Sequence, residues 1–290
     1  MQQILLNGLI SGLAIALLGF AFTLASLPTR VFHLALAGIY TGGPFIVWWM
    51  WRTSWAPFWG IALALASGIT LSILCEALNH WWLERKGAPD VLHLLSSLGI
   101  LIMLVQTVAV MGGNETHVLR DGIDRVYHFG SSQLTRGQLI TGGVSAGLLA
   151  VFATWLRFSR LGLRLRALAD NPVQLALFGK NVRSLRLVAF AFSGLLASVA
   201  GILTAYDIGF DAHGGLHALL LGVVAVIVGG RYTWFGPVLA GVLLGLIRAF
   251  VVWQFSARWQ DTATFAVLVA CLFVSPQGLL GRRTRLEAAS

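Results

Sequence analysis

The chain has 290 residues, of which 57% are hydrophobic and 11% are charged. A soluble domain carries about 25% charged residues, so this composition excludes a single core inside a water-exposed surface, and the excess apolar side chains have to face lipid. The formal charge of +9 does not indicate nucleic acid, because the basic residues lie between apolar runs and form no continuous stripe with aromatic residues.

Apolar runs of about 20 residues predict membrane-spanning helices, since a bilayer accepts only segments that satisfy their own backbone hydrogen bonds. The first run lacks the basic region of a signal peptide and is expected to be retained. Residues 216–228 form a ninth, shorter candidate. The predicted fold class is all-α, a polytopic transmembrane helical bundle with eight long spans plus one short apolar segment, in a single domain over residues 1–290. The eight long spans are residues 4–27, 31–51, 58–82, 91–111, 138–158, 186–206, 234–252 and 261–276.

The distribution of Lys and Arg predicts the orientation of the bundle. If the N-terminus lies outside and all nine segments cross, most basic residues fall on the cytoplasmic side, as the positive-inside bias requires. If residues 216–228 instead re-entered on one side, the tail with Arg282, Arg283 and Arg285 would be exported against that bias. We therefore expect a crossing there, with the N-terminus outside and the C-terminus in the cytoplasm.

The hydrophilic stretch 159–185, between the fifth and sixth spans, is longer than a turn requires. Asn171 is a candidate helix cap, Pro172 suits the first helical position, and Gly179 suits a left-handed exit. These signals predict a short helix over residues 173–178 with several apolar side chains. On physical grounds alone, this helix is either an interfacial amphipathic element or a docking knob for a partner.

The sequence of residues 162–181, GLRLRALADNPVQLALFGKN, resembles the coupling segment of branched-chain amino acid (LivH-type) ABC permeases. Residues 95–99, 189–201, 229–241 and 276–281 also resemble patterns of that family. In the family, the coupling loop fits into a groove on a cytoplasmic ATPase. The resemblance assigns ATPase coupling to Gly162, Arg164, Arg166, Ala167, Ala169, Asp170, Asn171, Pro172, Gly179 and Asn181.

The resemblance implies an integral subunit of an ABC importer for a small polar organic solute, such as a branched-chain amino acid, an amide, urea or a carboxylate. It also implies the bacterial cytoplasmic membrane, a second permease subunit, two cytoplasmic ATPases that bind ATP and Mg, a periplasmic solute-binding protein and surrounding lipid. The chain itself is not expected to be an enzyme or to bind a cofactor. No Walker A pattern is present, because Gly179 and Lys180 are followed by Asn181 and residue 174 is not glycine.

Two departures from the family pattern concern the substrate. The second span opens with His33-Leu34-Ala35, where the family usually places Asn-Phe-Ala-His-Gly, and the glycine-rich turn contains Arg231. His33 either binds a polar substrate or makes a structural hydrogen bond. The candidate residues of the translocation path are His33, Gly99, Gly229, Gly230 and Gly236.

Two further ionisable residues lie within or near the ends of spans. Glu76 is expected to reach the interface or to pair with a basic loop residue, and Arg248 to anchor its span at the outer interface. Asp207 and Asp211 lie in one connection, so they do not form the facing pair of an intramembrane protease and are assigned to an outer loop, with a position at the pore mouth as one option.

Catalytic and metal sites are not predicted. Cys75 and Cys271 lie in apolar runs without a Cys-x-x-Cys spacing. Residues 143–147 match the nucleophile-elbow pattern but lie inside a span. The alternative function is an ATP-independent secondary transporter or channel, for which paired acidic residues or broken helices near the bilayer centre are expected.

Overall fold

Helices dominate the structure, a computed structural model that describes residues 1–53, 56–120, 122, 124–129, 132–230 and 232–281. The basic tail beyond residue 281 and Arg231 lie outside the described residues. A π-helical segment, Cys75–His80, joins the helix Pro57–Leu74 to the helix Trp81–Arg85, and a 3-10 turn, Ala257–Trp259, precedes the helix Gln260–Val274. The elements are α1 (Gln2–Thr29), α2 (Leu36–Arg52), α3 (Pro57–Leu74), α4 (Trp81–Arg85), α5 (Asp90–Gly112), β1 (Val126–Phe129), β2 (Ser132–Thr135), α6 (Arg136–Phe158), α7 (Arg160–Asp170), α8 (Pro172–Leu177), α9 (Val182–Asp207), α10 (Gly214–Gly229), α11 (Gly236–Gln254) and α12 (Gln260–Val274).

Within the described residues, seven helical segments are long and apolar enough to cross a membrane, and α10 is a shorter apolar helix of 16 residues. The predicted all-α bundle is therefore confirmed, but the count of eight long spans is not. The difference lies in the second span. It was expected from residue 31, whereas α2 begins at Leu36 and has only 17 residues.

The connection between α1 and α2 is non-helical and yet buried. Arg30 ends α1 in the left-handed conformation, with φ 58°. Val31, His33 and Ala35 are all buried, and the Ala35 amide donates to the Ser97 hydroxyl at 2.9 Å. Non-helical backbone is tolerated inside a membrane bundle where protein surrounds it. Hydropathy does not distinguish such a segment from a helix, which explains the misplaced start.

The longest close helix contact joins α1 to α11, which run antiparallel. Gly245 approaches Gly12 so closely that a Cβ on Gly245 would lie 2.3 Å from the Gly12 Cα. Glycine is required at this crossing, as is common where membrane helices pack backbone to backbone. A tight turn joins helices α10 and α11, and in it Gly229 at the end of α10 contacts Gly236 at the start of α11.

Two ends of the bundle can be told apart by what they carry. The hairpin end carries the antiparallel β1–β2 pair, the start of α1 and the end of α9, and the Gln3 side chain bonds the Gln133 backbone at 2.8 Å. The coupling end carries α7 and α8, the end of α1 and the start of α9. Between them lies a core of fully buried residues that includes Leu17, Leu36, Leu196 and Leu219.

Candidate translocation cavity and coupling segment

A cavity of about 790 Å³ lies at the hairpin end, between α1, α2, α9, α10 and α11. It results from the shortness of α10, because 16 residues of helix cover only about 24 Å. The first turn of α10 accordingly lies deep in the bundle, where a Cβ on Gly215 would meet the Ala37 carbonyl oxygen at 2.4 Å. The cavity is the space between that turn and the hairpin end of the bundle.

Neutral polar side chains line the cavity among apolar ones, including Asn7, Ser11, Thr41 and Thr204. A mostly apolar pocket with a few placed polar groups is the usual form of a small-molecule site. The cavity wall therefore offers hydrogen bonds to a small polar solute. None of these four residues was singled out from the sequence, because their convergence depends on three different helices.

Several ionisable side chains also line the cavity, among them Asp207, Asp211, His217 and Arg248. One Asp211 carboxylate oxygen accepts from the His213 and Gly214 amides at 2.8 Å each, which caps the start of α10. Arg248 donates to Asp261 at 2.8 Å, so it ties α11 to α12. Asp207, at the end of α9, also lines the cavity. Asp211 thus lies in the expected loop and Asp207 is the last residue of α9, and both lie at the cavity.

The coupling end holds buried polar side chains. His33 is fully buried, with its ring 5.6 Å from that of His80 and 4.8 Å from that of Phe190. The Nδ1 atoms of His80 and His93 lie 3.4 Å apart. These side chains come from four separate parts of the chain, so together they hold the coupling end closed by packing.

An ion-pair group lies beside the histidines. Arg186, four residues into α9, donates from Nε to the Glu76 carboxylate at 2.5 Å and from Nη1 to Glu84. The Arg186 and Glu76 side chains are 7% and 2% exposed. Of the two roles expected for Glu76, ion pairing is the one found, but the partner Arg186 lies in α9 just after the loop rather than within it. The pair fixes the start of α9 to the π-helical segment.

The five residues expected in the translocation path do not line the cavity. His33 lies in the buried cluster, where neither ring nitrogen has a hydrogen-bond partner among the described residues, so the structural hydrogen bond expected for it is not found. Gly99 lies on an exposed face of α5. Gly229, Gly230 and Gly236 form a tight turn, where the Leu280 amide donates to the Gly229 carbonyl at 3.1 Å. Their role in translocation stays a prediction, for a state in which the coupling end opens.

The coupling segment consists of two helices, each with a side-chain cap. The Ser159 hydroxyl accepts from the Gly162 amide at 2.8 Å and begins α7, a helix that the sequence did not predict. The Asn171 side chain accepts from the Val173 and Gln174 amides at 3.0 Å each and begins α8. Pro172 is the first residue of α8, and Gly179 has φ 71°, as predicted. Asn181 in turn caps α9.

Helix α8 presents an apolar surface away from the bundle. Val173, Leu177 and Phe178 are 67%, 82% and 79% exposed, whereas Leu175 is buried and holds α8 on the body. These three exposed residues are called the knob below. Other residues assigned to coupling are also exposed, namely Arg164, Asp170, Pro172, Gly179 and Asn181.

The remaining coupling candidates face inward. Gly162 is buried against Leu156 of α6, and Arg166 donates to the Arg157 carbonyl at 3.1 Å. Ala167 and Ala169 are half-buried. Gly162 and Arg166 thus hold α7 against the end of α6, and none of these four residues is fully exposed.

A bundle of apolar helices with a cavity that carries a few polar groups at one end and a projecting helical segment at the other is the form of a membrane permease. The chain belongs to the family described as branched-chain amino acid transport system / permease component, whose family model matches residues 4–272. This confirms the resemblance seen in the coupling segment.

Curated relatives match along nearly the whole chain. The high-affinity branched-chain amino acid transport system permease protein LivH of Salmonella typhimurium is 24% identical, over 97% of this chain and 95% of LivH. The corresponding permease protein BraD of Pseudomonas aeruginosa is also 24% identical with the same coverage. The autoinducer 2 import system permease protein LsrC of Escherichia coli is 27% identical over 74% of this chain and 63% of LsrC.

A solved structure shares the fold. PsaBC from Streptococcus pneumoniae, solved in complex with Fab, superposes with a TM-score of 0.52 over 95% of this chain and 92% of that chain. The sequence identity is 11%, so the likeness concerns the fold alone.

Proposed function

We propose that this chain is an integral permease subunit of an ABC importer for a small polar organic solute, of the branched-chain amino acid, amide, urea or carboxylate kind. It would act in the bacterial cytoplasmic membrane with a second permease subunit, a periplasmic solute-binding protein and two ATPase subunits that bind ATP and Mg. The observation that carries the proposal is the knob, an apolar helical projection on a chain of this permease family.

The structure offers a direct mechanical route from the knob to the cavity. Asn181 caps α9 directly after the segment, and α9 then continues to Asp207 at the cavity. Its 26 residues cover about 39 Å as one helix. ATPase closure that shifted the knob would therefore tilt α9 and change the cavity wall, which is how rigid elements transmit domain closure.

Substitution of the knob tests ATPase coupling. Leu177→Asp places a charge on an apolar contact surface and should remove the ATPases that co-purify with the chain, with loss of uptake. The fold should remain intact because the side chain is 82% exposed. The matched control is Val91→Asp, at another exposed apolar position of the coupling end, near the start of α5. Retention of the ATPases and of uptake by Leu177→Asp would contradict the proposal.

Reconstitution separates the importer from the ATP-independent alternative. Uptake into proteoliposomes should require ATP and the ATPase subunits. Full uptake by the purified chain alone would establish a secondary transporter or channel instead.

Cysteine labelling tests the proposed orientation. With Cys75 and Cys271 replaced by alanine, Ser11→Cys should react with a membrane-impermeant thiol reagent in intact cells, because Ser11 lines the cavity. Lys180→Cys, on the coupling segment, should react only after permeabilisation. The reverse pattern would place the knob outside and exclude ATPase coupling.

A further inference from the structure

Helix α5 has two faces with different surroundings. One face carries His93, Ser97 and Leu101, which are buried. The opposite face is exposed over most of the helix; we call it the α5 face. Its residues are Leu95, Gly99, Met103, Gln106 and Val110, spaced three or four residues apart as one side of a helix requires.

Gln106 makes the α5 face unsuited to lipid. It lies six residues before the end of α5, or about 9 Å along the axis. Its carboxamide is exposed and has no hydrogen-bond partner within the part of the chain that the structure describes. An amide without a hydrogen-bond partner is costly in hydrocarbon. Another polar surface therefore has to cover this position.

Gly99 marks a place where a second helix can approach. A Cβ at Gly99 would meet no atom within 4 Å, so this glycine is not required by packing within the chain. Small residues on the outer face of a membrane helix allow close contact with a neighbouring helix. Gly99 and Gln106, seven residues apart, lie on the same side of α5.

The exposed face of α3 provides the contrast. It carries Leu63, Ala66, Thr70 and Leu74. The Thr70 hydroxyl donates to the Ala66 carbonyl at 2.7 Å, so its polar group is satisfied within the helix. This face is compatible with lipid. Leu63 lies six residues after the start of α3 at the hairpin end, and so matches Gln106 in depth.

We infer that the α5 face is the contact surface for the second permease subunit, with Gln106 hydrogen-bonded to a polar group of that subunit. This inference rests on the proposed function. The ATPases belong at the coupling end and the solute-binding protein at the hairpin end. From Leu95 to Val110, the α5 face extends along about 22 Å of helix, between these two ends. Its partner must therefore be embedded in the same membrane, which the second permease is.

Site-specific photocrosslinking tests the inference in the assembled transporter. Met103→p-benzoylphenylalanine should form an adduct with the tagged second permease on irradiation, because Met103 is 70% exposed on the α5 face. Leu63→p-benzoylphenylalanine, on α3 and 50% exposed, should not. Both variants should retain ATP-dependent uptake, which shows that the complex has assembled.

Three outcomes would overturn the inference. An adduct from position 63 but not 103, an adduct of position 103 with an ATPase or the binding protein, or no protein adduct from an active transporter would each exclude the α5 face as the permease contact. The proposed function would survive all three, since uptake would still depend on ATP. Failure of any second permease or ATPase to assemble with the chain would instead overturn both.

Discussion

The two ends of the bundle treat polar side chains in opposite ways. At the hairpin end, Ser11 and Thr204 line an open cavity. At the coupling end, His33, Glu76 and Arg186 are buried by protein. The difference indicates that the structure is open at the hairpin end and closed at the coupling end. Opening the coupling end would require these buried groups to separate, so they are the elements on which closure depends.

The largest effect is expected from breaking the closed end. Arg186→Met leaves Glu76 buried without its partner, and loss of one member of a buried pair costs about 3–5 kcal/mol. Thermal unfolding in lipid nanodiscs should show the loss. Adding Glu76→Gln should recover part of it, because the uncompensated charge is removed.

Arg183→Met is the matched control for this substitution. Arg183 is exposed on the same helix and lies over the Trp81 ring at 3.8 Å. An exposed contact of this kind contributes about 0.5–1 kcal/mol. Equal destabilisation by the two substitutions would show that the ion pair of Arg186 with Glu76 stabilises this end no more than the exposed contact of Arg183 does.

An intermediate effect is expected from filling the open end. Ser11→Trp places an indole in the cavity, where it occupies space for the solute. A loss of about 1.4 kcal/mol in the free energy of solute binding corresponds to a tenfold lower affinity. Uptake at limiting solute should fall about tenfold or more, with basal ATP hydrolysis unchanged. Leu9→Trp is the control, since Leu9 is exposed on the same helix but does not line the cavity. Unchanged uptake by Ser11→Trp would exclude the cavity as part of the path.

The smallest effect is expected at the wall of the open end. Arg248→Met removes the bonds to Asp261, Gln260 and Thr264. Because the Asp261 side chain is 51% exposed, solvent screens the pair and the expected loss of stability is about 1 kcal/mol. Unfolding measurements would check this against Arg258→Met, an exposed position nearby. A loss of stability as large as that of Arg186→Met would mean that the ion pairs at the two ends stabilise the protein equally.

Local features of the coupling segment could be predicted from the sequence, whereas contacts between distant segments could not. Asn171, Pro172 and Gly179 act within a few residues of chain, so their types alone predicted how α8 begins and ends. The sequence did not predict helix α7, because arginines are interspersed among its apolar residues. The contact of His33 with His80 joins residues 47 positions apart, and no local pattern indicates it.

The cavity was missed for a related reason. Its existence depends on α10 being short and on where its first turn meets α2, which requires knowledge of packing. The sequence did indicate the short segment, at residues 216–228, and the structure gives it as Gly214–Gly229. Because α10 is short, a space is left open beside Thr204 and Asp207. This space can be recognised only when the positions of the neighbouring helices are known.

The π-helical segment Cys75–His80 determines the direction in which the side chains of the following helix, α4, point. In a regular α-helix, residues eight positions apart point about 80° away from each other. Glu76 and Glu84 are eight apart and nevertheless contact one guanidinium, because the wider π-helical turn takes up the angular excess. Removing one residue from this turn would rotate Glu84 away from Arg186, so the register of a single turn determines whether α9 is held by two carboxylates or by one.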